Sequence, residues 1–336
     1  MKEAMLYEKL GQNAVQCNLC QIRCRIDDGK TGVCGVRKNI KGTLYSLVYE
    51  KAVATNVDPI EKKPLFHFLP GSLSYSMATV GCNFHCVFCQ NSDIAHMPRD
   101  EGRIIGRDIP PKEIVNSAIR EGCRSISYTY TEPTIFFEYA YDTAKIAHEE
   151  GLKNVFVSNG YMTPEAVETI APYLDAINVD LKAYDDKIYH KYMGADLEKM
   201  KESMRAIYKA GVWMEITTLI VPTLNDAKEQ ITGIVDFIYG LNPNIPWHIS
   251  RFHPSYKFTS VGPTPIETLR MAQDIGIKKG LHFIYLGNVW GEDGEDTTCP
   301  ICGALLIKRL GFNVMENKIR NGKCPKCNAA VPGIYQ

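Results

Sequence analysis

Three cysteines fall within one short stretch, GCNFHCVFCQN, as Cys82, Cys86 and Cys89. The spacing C-x3-C-x2-C lets three thiolates from one loop converge on one centre, and metal binding enforces the deprotonated sulfur. A four-iron cluster held by four thiolates is closed and moves electrons. Held by three, one iron keeps a vacant position that binds and activates a ligand, the logic by which catalytic zinc keeps an open site. The competing assignment is a three-cysteine zinc site completed by His85 or His96.

The remaining cysteines are grouped just as tightly. Cys17, Cys20, Cys24 and Cys34 form C-x2-C-x3-C-x9-C near the start of the chain. Cys299, Cys302, Cys324 and Cys327 form two C-x2-C knuckles near its end, the pattern of a tetrahedral four-cysteine site. Gly303 and Asn328 follow the knuckles and suit the left-handed turn that aims backbone N–H groups at sulfur. Zinc is the first choice at both groups and an auxiliary iron–sulfur cluster the second. For the first group a metal-free cysteine-rich turn remains a third reading. Cys123 stands alone and reads as a buried core thiol. Local groups of this kind mean metal in a reducing compartment, not disulfides.

The elements that must position these residues are legible between the two outer groups. Short β-branched or aromatic runs alternate with amphipathic helices: YSMATV, SISYTY, NVFVS, AINVDLK, WMEITTLIV, WHISRF and HFIYL each lead through a polar turn toward a helix or the end of the series. Thr163 and Pro164 read as a helix N-cap and first residue, and a second Thr-Pro precedes IETLRMAQDIG. Such alternation gives a parallel sheet with right-handed crossovers. Six or seven units are too few to close eight strands. The fold class is therefore α/β, a partial (βα)6-type open TIM-like barrel. It carries a small cysteine-rich N-terminal extension and a zinc-ribbon-like C-terminal one. The expected divisions are 1–70, 71–291 and 292–336. In such sheets ligands bind at the strands' C-terminal ends. That rule selects the three loop cysteines, Glu132, Ser158, Asn159, Asp180, Lys182, Thr217 and His253.

Charge and hydropathy exclude other classes. Lys and Arg total 38, as do Asp and Glu, and no dense basic block occurs, so nucleic acid is not an expected partner. The first residues lack the apolar core of a signal peptide, and no apolar run approaches a membrane span. A cytoplasmic location is expected.

With these residues in view, GCNFHCVFCQN resembles the cluster loop of the radical S-adenosylmethionine (SAM) superfamily, Phe88 included. The resemblance implies a [4Fe–4S] cluster on Cys82, Cys86 and Cys89, with SAM as the fourth ligand. Reductive cleavage of SAM then gives a 5′-deoxyadenosyl radical that abstracts hydrogen from a substrate. It places Glu132 at the motif for the SAM amino group. VSNG (Ser158, Asn159) and VDLK (Asp180, Lys182) resemble motifs of glycyl-radical activating enzymes that lie against SAM. His253 resembles a histidine near the ribose, and Gly287 and Asn288 a closure over the adenine. The order of head, connector, cluster loop and tail, from about Cys17 to about Gly333, resembles the radical SAM enzyme of the AmmeMemoRadiSam system, similar to pyruvate formate-lyase activating enzymes. The implied partners are a reductant such as ferredoxin or flavodoxin, and Memo-like and AMMECR-domain proteins.

The connector DPIEKKPLFHFLPG has two readings: an ordered loop over the barrel mouth offering Asp58, Glu61, Lys62 and His67 to a substrate or partner, or a solvated connector anchored by Phe66 and Phe68. Three further functions compete with hydrogen abstraction from an unidentified substrate. They are glycyl-radical formation on a partner protein, RNA modification, and a non-enzymatic zinc or electron-transfer module.

Overall fold

A computed structural model describes residues 1–289 and 294–336. The expected boundary at 291/292 lies outside the described residues. The centre is one eight-stranded sheet: β1 (Ala54–Pro59), β2 (Leu73–Ala78), β3 (Ser125–Tyr128), β4 (Lys153–Ser158), β5 (Ala176–Asp180), β6 (Trp213–Ile220), β7 (Trp247–Arg251) and β8 (Ile284–Gly287). Neighbours in the sheet follow chain order. β2 to β8 are parallel, and β1 runs antiparallel to β2 at the edge. The crossovers hold α1 (Pro111–Arg120), α2 (Phe137–Glu149), α3 (Pro164–Ile170), α4 (Leu197–Lys209), α5 (Lys228–Leu241) and α6 (Ile266–Lys279). The two edge strands stay unpaired with one another, so the barrel is open, as the count of units predicts.

Local chemistry accounts for the element starts. Thr163 caps α3 by accepting from the Ala166 N–H at 3.2 Å, with Pro164 first in the helix. The second Thr-Pro start differs. Thr264 is buried, donates to the Ile220 carbonyl at 2.6 Å and accepts from the Phe252 N–H at 3.0 Å. Its hydroxyl ties two strand ends together instead of capping α6, because burial gives it carbonyl and amide partners from neighbouring strands.

The sheet's two ends are covered by different extensions. The head is built from two three-stranded antiparallel sheets within residues 2–46. It packs at the C-terminal ends of the strands: Cys20 bridges Met162, the Gln21 N–H donates to the Tyr161 carbonyl at 3.0 Å, and Thr163 N–H to Leu19 at 3.2 Å, all just past β4. The tail, with strands Leu305–Leu310 and Asn313–Asn317, packs at the opposite end.

That opposite end is where the connector lies: Phe66 and Phe68 are buried anchors as expected, but the segment is neither a loop over the mouth nor solvated. Residues 54–59 are a strand of the sheet, so this part of the expected 1–70 unit belongs to the barrel. The residues that follow close the strands' N-terminal end, not the mouth. Glu215, third residue of β6, accepts from the Phe66 and His67 N–H groups at 2.9 and 2.8 Å, and Asn178 of β5 donates to the Pro64 carbonyl at 2.8 Å. His67 is buried between the Tyr285 hydroxyl (2.6 Å) and the Pro332 carbonyl (2.7 Å) of the tail. Glu61 lies 3.8 Å from the Arg309 guanidinium. Asp58 pairs with Lys62 and Lys63 at 2.8 and 2.7 Å. Of the four polar residues expected to face a substrate, Asp58, Glu61 and His67 are buried in a floor, and Lys62 stays exposed beside Asp58. The cause is burial: at a closed sheet end every polar group must find an internal partner.

Candidate functional site

The cluster loop leaves β2 through Gly81, whose φ is +108°. A Cβ there would stand 2.7 Å from Val36 Cγ1 and 3.3 Å from the Cys34 carbonyl, so glycine is required both by the dihedral and by the head's close approach. Phe84 and Phe88 are buried and anchor the loop, Phe84 edge-on to Tyr161 at 5.2 Å and Phe88 to Phe258 at 6.4 Å. The loop backbone is fastened from outside: His85 N–H donates to Met193 at 3.1 Å, Lys257 N–H to Val87 at 3.0 Å, and the Ser255 hydroxyl to Cys89 at 3.2 Å.

Burial raises all three loop thiols, Cys86 to about 12, with Cys82 and Cys89 also above their ordinary range. Such thiols stay protonated at neutral pH until a metal displaces the proton. Their sulfurs, among the described residues, do not all lie within 4.8 Å of one another, the reach of ligands around a single ion. A cluster makes no such demand, because each thiolate takes its own iron. His85 and His96 do not complete a single-ion set with them. His96 instead pairs with the Arg99 guanidinium at 2.6 Å and stacks on Tyr256.

The strand-end residues gather around this loop. Asn159 extends its amide Nδ2 toward Cys82 Sγ at 3.8 Å and donates to Asn83 Oδ1 at 2.7 Å. The Glu132 carboxylate accepts from Ser158 Oγ (2.7 Å), Thr134 N–H (3.0 Å), Thr134 Oγ1 (2.6 Å) and Asn159 N–H (2.8 Å). Burial raises its pKa, opposed by the Thr134 and Ser158 bonds. Lys182 pairs with Asp180 at 2.8 Å. Burial pulls the Lys182 ammonium down, but Asp180, joined by Cys86 when that thiol is ionised, outweighs it and holds it well above the usual range. Thr217, 8% exposed, has a buried hydroxyl without a partner at the same end of β6. It lies level with Asp180 in the sheet, and an orphaned buried hydroxyl calls for a partner.

Phe88 stays in the loop and is engaged in packing. Two expected positions fall elsewhere. His253 sits exposed in the loop after β7, with no hydrogen bond to the gathered residues among those described. Asn288 donates to Ser250 Oγ at 2.9 Å on the rim. Asn83 and Arg37 were missed by sequence reasoning. Asn83 lies inside the cluster motif, but nothing in the spacing distinguishes it from a spacer.

In the tail, Cys299 Sγ stands 3.6 Å from Cys327 Sγ, and Cys302 Sγ 3.7 Å from Cys324 Sγ, with all four within 4.8 Å. Four sulfurs on a tetrahedron around one ion at about 2.3 Å come this close. Backbone N–H groups, first that of Cys327, lower the Cys324 thiol to about 7, as a metal knuckle requires.

Comparisons with known proteins agree with this geometry. The family model described as the radical SAM superfamily matches residues 77–238. An uncharacterized protein of Methanocaldococcus jannaschii is 46% identical over 334 residues, 98% of this chain and 99% of that one. Pyruvate formate-lyase-activating enzyme of Clostridium pasteurianum is 25% identical over 164 residues, 47% of this chain and 66% of that one. Among solved structures, a radical SAM methyltransferase from Sphaerobacter thermophilus aligns with a TM-score of 0.52 at 17% identity, covering 71% of each chain, a likeness of fold alone. No helix among the described residues is long and apolar enough to cross a membrane.

Proposed function

We propose that this chain, which belongs to the radical SAM superfamily, binds SAM beside a [4Fe–4S] cluster on Cys82, Cys86 and Cys89 and abstracts hydrogen from a substrate. The observation that carries the reading is the three-thiol loop at the strands' C-terminal end, whose sulfurs form no compact single-ion group among the described residues. When bound, the cluster supplies the electron that cleaves the SAM sulfonium, leaving methionine and a 5′-deoxyadenosyl radical. The chain's own residues do the rest. The Asn159 amide faces Cys82 and tempers its negative charge. The Lys182 ammonium does the same for Cys86. Glu132 fixes Ser158 and the Asn159 backbone, and the Thr217 hydroxyl is free to bond the ligand.

The order of head, cluster loop and tail supports a role like that of the AmmeMemoRadiSam radical SAM enzyme, and we propose a ferredoxin or flavodoxin as reductant and Memo-like and AMMECR-domain proteins as partners. A second reading, glycyl-radical formation on a partner protein, is favoured by the similarity to the Clostridium pasteurianum activating enzyme. The tail's sulfur spacing supports zinc there.

The test is anaerobic reconstitution with iron and sulfide, then dithionite and SAM, with 5′-deoxyadenosine as the product assayed. Production is expected. A protein that holds its cluster, makes no 5′-deoxyadenosine and shows no SAM-induced change in its EPR spectrum would sink the proposal.

A further inference from the structure

The four head cysteines surround a cavity instead of meeting at a point. Cys17, Cys20, Cys24 and Cys34 all line one small cavity, together with Arg37 and Asn83. No three of their sulfurs lie within 4.8 Å of one another among the described residues. The tail sulfurs do, with pairs at 3.6 and 3.7 Å. One zinc ion with sulfur at about 2.3 Å cannot span the head's arrangement as it stands. A cubane binds each thiolate to a different iron and so takes sulfurs that stand further apart.

Two buried polar side chains line the same space with donors unused. Arg37 is 2% exposed, and its Nε has no partner. The rest of its guanidinium is fixed, by Glu138 at 3.0 Å to both carboxylate oxygens and by the Met5 carbonyl at 2.8 Å. Asn83 is 1% exposed, and its Nδ2 likewise has no partner. A buried donor without an acceptor is costly, so each calls for one in the cavity. The sulfide and thiolate sulfurs of a cluster are such acceptors, and the Arg37 charge offsets their negative charge. Gly32 keeps the wall thin: a Cβ there would come 3.2 Å from Ile26 and 3.6 Å from Cys24 Sγ.

We propose that Cys17, Cys20, Cys24 and Cys34 ligate a second four-iron cluster, not zinc, seated beside the three-cysteine loop. Its position rests in part on the function proposed above. Asn83 lines the head cavity and is the neighbour of Cys82 in the chain, while the Cys34 backbone packs on Gly81. The two clusters are thus separated by about one layer of residues. The head cluster takes one electron from a low-potential one-electron carrier and passes it to the loop cluster, returning to its oxidised state.

The test compares wild type, the loop variant Cys82→Ala/Cys86→Ala/Cys89→Ala and the head variant Cys20→Ala/Cys24→Ala, each reconstituted without oxygen and analysed for iron, sulfide and zinc, with Mössbauer spectra. Wild type is expected to hold about eight iron and about eight sulfide ions, and the loop variant about four of each with a [4Fe–4S] spectrum. The loop variant leaves the head intact, so the result does not depend on the head variant folding. A loop variant with no iron and a second zinc would overturn the proposal. A loop variant with undiminished iron would uphold the head cluster and sink the reading of the loop. On dithionite reduction, wild type is expected to show an EPR spectrum broadened by the neighbouring cluster. A simple sum of the two variants' spectra would refute the relay.

Discussion

Head and tail each carry four cysteines, yet they are opposite kinds of site. The tail's sulfurs crowd to 3.6 and 3.7 Å and its backbone N–H groups turn toward them. It packs on the sheet's floor, where Arg309 donates to the Phe66 carbonyl at 2.7 Å and Ile334 N–H to the His67 carbonyl at 2.8 Å. The head's sulfurs stand apart around a cavity lined by unpaired donors, and it packs on the strand ends that carry the cluster loop. Equal cysteine counts therefore mark a staple at one end and a reactive region at the other. What separates the two is sulfur spacing in three dimensions and which end of the sheet is touched.

The largest effects test the division of labour. Cys86→Ala should reduce 5′-deoxyadenosine formation to background, because two thiolates do not hold a four-iron cluster. Retained production would dissolve the contrast at its root. Cys302→Ala should remove the tail's metal and cost on the order of 4 kcal/mol in stability, measured by urea unfolding. Activity per bound loop cluster should persist, since the tail lies at the far end. A Cys302→Ala protein that is as stable as wild type but inactive would reverse the assignment.

The floor also predicts a pH dependence. Burial depresses the His67 imidazole to about 4 from its ordinary 6.5, with a nearby Glu215 charge opposing the shift. Between these values the unfolded chain binds a proton that the folded chain refuses. Stability is therefore full above about pH 6.5 and falls as pH drops toward 4, by on the order of 3 kcal/mol. Burial raises Glu215, but the His248 hydrogen bond, at 2.7 Å, and the Phe66 N–H outweigh it and hold it low. Its contribution is present above the ordinary carboxylate range and is lost as pH falls through the depressed value, the same direction. Thermal unfolding at pH 7 and pH 5 should show the loss, and His67→Gln should flatten it. An unchanged pH slope in that variant would remove His67 as the cause.

What the sequence made legible were features with local rules. The strand–helix alternation, the Thr163 cap and the C-x3-C-x2-C loop each depend on residues a few positions apart. The connector was misjudged because its partners, Glu215 and His248, lie about 150 residues or more away in chain positions that read as ordinary strand. β1 was missed because ATNVDP carries little strand character until it pairs with β2. The difference between head and tail was hidden for a related reason. Cysteine spacing along the chain fixes which thiols share a site, but the distance between sulfurs depends on what the intervening backbone packs against. In the head that is the cluster loop itself, through Cys34 and Gly81.

Glu132 gives the finest test, because it lies at the reactive end but is bonded like a floor residue. One carboxylate oxygen accepts from Thr134 N–H, Thr134 Oγ1 and Ser158 Oγ, and the other from Asn159 N–H. Glu132→Gln keeps the shape and one acceptor oxygen. If that oxygen faces Thr134, the new NH2 group opposes the Asn159 N–H. If it faces Asn159, the Thr134 N–H is orphaned, while the two hydroxyls can rotate to accept. Either way one buried backbone N–H loses its acceptor, at about 1–3 kcal/mol. Because Asn159 carries the amide that reaches Cys82, SAM affinity should fall modestly along with stability. A Glu132→Gln protein of full stability that no longer binds SAM would instead make Glu132 a direct ligand contact, and the polar groups at the mouth would then divide between cluster and substrate more sharply than their present hydrogen bonds show.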